Sequence, residues 1–118
     1  MTSKAVELAR DHREVCGLLI DNGYFLQTRE TRNISKRDGS FEFDMREINS
    51  LVKAAEKLNL EIVGTFHSHP IGFAKPGEAD IKAAEDDSLA LIIDAMDRDV
   101  RLWRIKNGRA YARTFELI

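Results

Sequence analysis

The chain has 118 residues, enough for one domain with one core and too few for two, so residues 1–118 are expected to form a single unit. Hydrophobic residues make up 43% and charged residues 32%, the balance of an ordinary soluble globular protein rather than of a disordered one. A net charge of -2 and a pI near 5.9 leave no basic field to draw the chain to nucleic acid or anionic lipid, so neither is expected as a partner. The single cysteine, Cys16, cannot form an internal disulfide and sits in an apolar run, which fits a reducing, cytoplasmic setting. The stretch Met1 to Glu7 has no apolar signal region, and the apolar runs fall well short of the ~20 residues of a membrane span.

Taken in order, Ser3 is expected to cap a short helix through Ala5, Val6, Leu8 and Ala9. Glu14 to Ile20 reads as a strand, Asp21-Asn22-Gly23 as a hairpin turn, and Tyr24 to about Asn33 as the returning strand. Lys36 to Ser40 is a polar loop, and Phe41-Glu42-Phe43 alternates like a short strand. Asp44 and Glu47 resemble a capping box opening a helix to about Leu58, with Met45, Ile48, Leu51, Val52, Ala55 and Leu58 on one stripe facing the core. Leu60 to Phe66 is a strand leading into the histidines, and Glu78 to Asp86 is a helix. Leu89 to Ala95 is a strand buried on both faces; Val100 to Ile105, the Asn107-Gly108 turn and Arg109 to Leu117 close the sheet. This order implies an α+β sandwich, a mixed and mostly antiparallel sheet flanked by two main helices.

His67 and His69 are one residue apart at the end of an apolar strand, so alternation delivers both imidazoles to one face. Such a pair alone is as readily structural or solvated as metal-binding. Pro70 ends the strand, however, Gly72 and Pro76 shape a loop, and the first turn of the next helix carries Asp80. Two imidazoles and a carboxylate that can converge, with a fourth position left to water, are the ligand set of a catalytic zinc site. Such a site needs a general base, and a carboxylate in a partly desolvated pocket serves. Glu14 stands at the start of an apolar strand, where a charge is normally unwelcome, and sheet pairing could place it near the histidine strand; from the residue alone, a structural role such as an exposed strand end is the favoured reading.

Glu14-Val15-Cys16-Gly17-Leu18-Leu19, Asn33, His67-Ser68-His69-Pro70 and Asp80 together resemble the JAMM/MPN metalloprotease family, whose pattern is an upstream Glu followed by H-[ST]-H-P, six residues, S, two residues, D. The likeness runs from about Val6 to Phe115. It implies the MPN fold, a zinc ion held by His67, His69 and Asp80 with a water as fourth ligand, and Glu14 as the general acid/base on that water. The implied reaction is hydrolysis of a peptide or isopeptide bond. One position departs: the place of the family serine is Gly77. That hydroxyl helps hold an oxyanion, and losing one such donor costs on the order of 10²-fold in rate. Ser68 lies between the ligands on the other strand face and is no substitute.

The short forms of this family divide by substrate. One branch trims or deconjugates ubiquitin-like and sulfur-carrier proteins; another resembles phage-tail proteins related to peptidoglycan peptidases, and Asn33-Ile34-Ser35 with His67-Ser68-His69-Pro70-Ile71-Gly72 is similar to that second branch. A non-catalytic interaction module, with Gly77 marking lost activity, is the remaining reading. The expected partner is therefore a ubiquitin-like protein or a cell-wall peptide, and no oligomeric state is implied. Of the other residues, Cys16 is expected to be an inert packed thiol and His12 a solvated histidine. Trp103, among Arg101 and Arg104, could serve as a binding platform, and an aromatic packed in the last hairpin explains it equally well; Ile71 and Phe73 either touch substrate or tuck inward.

Overall fold

The computed structural model describes the backbone of 4–7 and residues 15–36, 41–69, 74, 76–94 and 99–117. Among these, the elements in chain order are β1 (Lys4–Glu7), β2 (Cys16–Asp21), β3 (Leu26–Thr31), α1 (Met45–Lys57), β4 (Glu61–His69), α2 (Glu78–Ala83), β5 (Ser88–Asp94), β6 (Asp99–Lys106), β7 (Arg109–Arg113) and β8 (Phe115–Leu117). The strands form one sheet in the order β7-β6-β5-β4-β2-β3-β1-β8. Four of its pairings are antiparallel and three parallel, as expected for the α+β class.

Alternation divides the central strands between two faces. Leu19, Phe66, Leu91, Ile93 and Leu102 share one core cluster with Val15 and Leu26. His67 and His69, offset by one residue from Phe66, therefore lie on the other face. The Phe66 ring crosses β2 at Gly17, its register partner, where any Cβ would collide with that ring and with the Arg29 carbonyl. β5 is buried along most of its length, as its continuous apolar run requires.

The parallel pairing of β4 with β5 has a direct consequence for the site. Parallel neighbours cannot be joined by a hairpin and need a crossover, here the segment 70–87 containing α2. That crossover brings Asp80 back over the strand that carries the histidines.

Several expectations are corrected. The first described segment is the strand β1, not a helix: Val6 pairs with Leu26 of β3 and with Leu117 of β8. A helix that short is marginal in water, whereas two strand neighbours satisfy the backbone at once. Phe41 to Phe43 contributes only an isolated bridge, Asn33 to Phe43. The final stretch is not one strand but two. β7 pairs with β6 at one edge of the sheet while β8 pairs with β1 at the other, and only Thr114 separates them. The sheet therefore curls until its two edges nearly meet, which takes Phe115 of β8 and Val100 of β6 to the same core cluster.

In α1, Asp44 is the N-cap, its carboxylate accepting the Arg46 N–H at 3.1 Å. Glu47 does not return the bond expected of a capping box; its carboxylate accepts the Arg32 N–H instead, tying the helix to the end of β3. At the other end, Asn59 takes the left-handed conformation (φ 56) and donates to Glu56 O while Leu60 donates to Ala55 O, a Schellman closure. The apolar stripe is not the core face that periodicity predicts. Only Ala55 is buried, and Met45, Val52 and Leu58 are 58%, 37% and 69% exposed. Among the described residues no helix is long and apolar enough to cross a membrane.

Candidate metal centre

β4 ends in the two histidines, and they differ in burial. The His67 side chain is 4% exposed and that of His69 23%. Their Nε2 atoms face one another at 2.9 Å. Asp80, in the first turn of α2, spans both: Oδ1 lies 3.5 Å from His67 Nε2 and Oδ2 3.5 Å from His69 Nε2. Two ligands of a tetrahedral zinc ion, each ~2.0–2.1 Å from it, stand ~3.3 Å apart. The carboxylate meets the two imidazoles through different oxygens at close to that value, and one ligand atom from each residue lies within 4.8 Å of the others, so the group could hold a single divalent cation. Among the described residues, His67, His69 and Asp80 are the group of metal-ligating side chains that converges in this way.

Two of the three donors, His67 and Asp80, are held by groups outside the cluster. Phe41 stacks on the His67 ring, with centroids 4.5 Å apart and planes inclined by 27°. Phe41 is itself steadied by Phe43, edge-on at 5.3 Å, and by Asn33, whose Oδ1 accepts the N–H groups of Ser35 and Glu42. Among the described residues His67 Nδ1 is buried and meets no hydrogen-bond partner, and it is the Phe41 ring that lies against this imidazole. Asp80 Oδ2 accepts the Gly77 N–H at 2.9 Å. Burial pushes the Asp80 carboxyl up. The contact with His67, the Gly77 N–H and the two imidazole charges outweigh it and lower the group to about 2. Asp80 is thus ionised at any ordinary pH.

Gly77, where the family pattern has serine, is the N-cap of α2 and has no side chain to return Asp80's bond. The crossover is anchored farther back by Trp103, whose Nε1–H donates to Ala74 O at 2.8 Å. Trp103 thus braces the crossover from the last hairpin. Cys16 is the register partner of His67, but its thiol turns to Thr31 Oγ1, 3.9 Å away, and burial pushes it up, in keeping with an inert thiol. Ser88 opens β5 and donates to Glu85 O. Glu14, His12, Ile71 and Phe73 lie outside the described residues.

Sequence reasoning missed three features. Phe41 carries no local signal of its stacking, because its partner is 26 positions away. Asp94, the register partner of His69, is a carboxylate only 2% exposed at the end of an otherwise apolar strand. The third is that part of the half-exposed stripe of α1 borders the same site. His67, His69 and Asp80 open onto a groove of about 1180 Å³ that is walled further along by Met45, Ile48 and Val52.

Over residues 4–106 the sequence matches the family described as prokaryotic homologs of the JAB domain. A desampylase of Pyrococcus furiosus is 42% identical over 57 residues, which cover 48% of this chain and 41% of that protein, so the match spans less than half of either. Among solved structures, a protein of Desulfitobacterium hafniense shares the fold with a TM-score of 0.71 at 24% identity, covering 96% of this chain and 92% of that one. A protein of Salinibacter ruber does so with a TM-score of 0.54 at 18% identity, covering 89% and 78%. With the fold, the motif and a match over most of its length in agreement, the chain belongs to the prokaryotic JAB-domain family.

Proposed function

We propose that this chain is a zinc metallopeptidase of the JAMM type, a single domain that hydrolyses the peptide or isopeptide bond joining a ubiquitin-like or sulfur-carrier protein to its target. The observation that carries the reading is the convergence of two imidazole nitrogens and one carboxylate at 2.9, 3.5 and 3.5 Å, close enough to hold one zinc ion. The 42% identity to a desampylase over part of the chain favours a protein conjugate over a cell-wall peptide. A groove walled by apolar side chains of α1 suits an extended polypeptide segment.

In this reading His67, His69 and Asp80 hold the zinc ion. When bound, the zinc supplies Lewis-acid polarisation and an acidified water. His67, buried and stacked on Phe41, and Asp80, ionised and bonded to the Gly77 N–H, keep two donors in place without rearrangement. His69, more exposed, borders the groove. Glu14 is the residue we assign to carry the proton from the water to the leaving amine. Gly77 offers a backbone N–H but no hydroxyl, and that N–H is already engaged by Asp80. Slow turnover is therefore expected.

The test is elemental analysis of protein purified without chelator, for the wild type and for His67→Ala combined with Asp80→Ala. About one zinc per chain in the wild type and none in the variant is expected. Absence of zinc from the wild type even after zinc is supplied would overturn the metallopeptidase reading. A ubiquitin-like isopeptide conjugate and a muropeptide, assayed side by side with zinc-loaded protein, then decide the substrate. Cleavage of the muropeptide alone would overturn the conjugate.

A further inference from the structure

We propose that Phe41 is a positioning residue for the metal, and that Asn33, which fixes the backbone beside Phe41, helps set how long the ion stays bound. The inference rests on the reading of His67, His69 and Asp80 as the metal ligands. A histidine ring turns on a broad, roughly two-fold torsion, so a ligating imidazole needs something besides the metal to fix its plane. Usually this is a hydrogen bond at the second ring nitrogen. Among the described residues His67 Nδ1 meets none, and Phe41 lies against the ring, with centroids 4.5 Å apart and planes inclined by 27°. Turning the imidazole out of its present plane drives its edge into the phenyl face. The stack therefore holds Nε2 on the side where His69 and Asp80 stand.

The phenyl ring can do this only if its own backbone is held, and one side chain pins it. Asn33 Oδ1 accepts the N–H of Ser35 and the N–H of Glu42, each at 3.0 Å. The second of these lies in the peptide plane shared with Phe41. The Glu42 carbonyl accepts the Ile34 N–H at 3.0 Å, so both backbone groups of the residue after Phe41 are committed. Asn33 and Phe43 then form a bridge, and Phe43 stands edge-on to the Phe41 ring at 5.3 Å. Phe41 offers no ligand atom, so its loss leaves all three donors in the chain and loosens one of them. The half-buried phenyl ring also keeps water from one side of the buried imidazole, which favours recapture of a detached ion over its escape.

The experiment compares zinc-loaded wild type, Phe41→Leu, Phe41→Tyr, Asn33→Ala and the Asn33→Ala/Phe41→Leu double variant. Two quantities are read: the rate at which excess chromophoric chelator removes the zinc, and the zinc affinity by competition. Urea unfolding of the chelated proteins checks that each one folds. Phe41→Leu, apolar but without a ring, is expected to bind one zinc more weakly on the order of 10-fold and to release it faster by a similar factor. Phe41→Tyr keeps the ring and is expected to match the wild type. Asn33→Ala is expected to speed release by a smaller factor, and to add nothing once Phe41 is Leu. Wild-type affinity and release in Phe41→Leu, or release from Phe41→Tyr as fast as from Phe41→Leu, would overturn the proposal and leave the zinc site intact. Full addition of the Asn33→Ala effect in the double variant would overturn the part given to Asn33. A wild type that takes up no zinc would instead overturn the metal reading, and the role of Phe41 with it. Should Phe41→Leu fail to fold, Phe41→Met, of similar volume and also without a ring, takes its place with the same outcomes.

Discussion

The two helices hold themselves in opposite ways. α1 has 13 residues, a carboxylate N-cap at Asp44 and a Schellman closure at Asn59 and Leu60, so local rules nearly suffice for it. α2 has six residues, none of them buried, and a glycine N-cap without a side chain. Helices shorter than ~12–15 residues are marginal alone, so α2 depends on what its first turn touches: the Gly77 N–H bonded to Asp80, and Asp80 set between the histidines. The element that completes the candidate metal site is thus the one least able to stand without it. Order in α1 is written locally; order in α2 is coupled to the site.

Gly77→Ser breaks this contrast most sharply. The backbone there (φ -82, ψ 173) suits any residue, and the nearest atom to a new Cβ is Asp80 Oδ2 at 3.7 Å. If the hydroxyl serves the oxyanion, the hydrolysis rate rises on the order of 10²-fold. An unchanged rate with slower amide exchange in α2 would mean that the serine only caps the helix.

Asp80→Asn separates charge from cap, because the amide oxygen can still accept the Gly77 N–H. Asp80 is depressed in the fold, so its contribution to stability is present above its unfolded value and is lost as pH falls through about 2. Urea unfolding of chelated protein should give the variant a deficit on the order of 2 kcal/mol near pH 6 that vanishes on acidification through about 2, and zinc content should fall. Asp44→Ala tests the other helix. It should cost about 1 kcal/mol in the same assay and leave zinc content and rate unchanged. Trp103→Phe has the smallest expected effect. Losing the Nε1–H to Ala74 O bond should cost about 0.5–1 kcal/mol and speed amide exchange in α2 while leaving α1 untouched.

Periodicity served best where an element is long or its boundary chemistry is explicit. The bounds of α1, the buried run of β5 and the turn at Asn107 and Gly108, both with positive φ, were legible for that reason. It failed at β1, where four residues cannot show a period, and at Thr114, where nothing local says that one stretch serves both sheet edges. The stripe of α1 was read correctly as a face but wrongly as core. Amphipathicity reports that a face is apolar, not whether a neighbour or a groove lies against it.

The sequence by itself determined the types and order of the candidate metal ligands and that the two imidazoles share one face of their strand. Alternation over one intervening residue is a covalent property and needs no partner. Only the tertiary structure decided that Asp80 reaches both histidines, because this follows from the parallel register of β4 with β5 and the crossover it demands. The same holds for Phe41 on His67 and for Ser68 on Val15, contacts across 26 and 53 positions that no local pattern encodes.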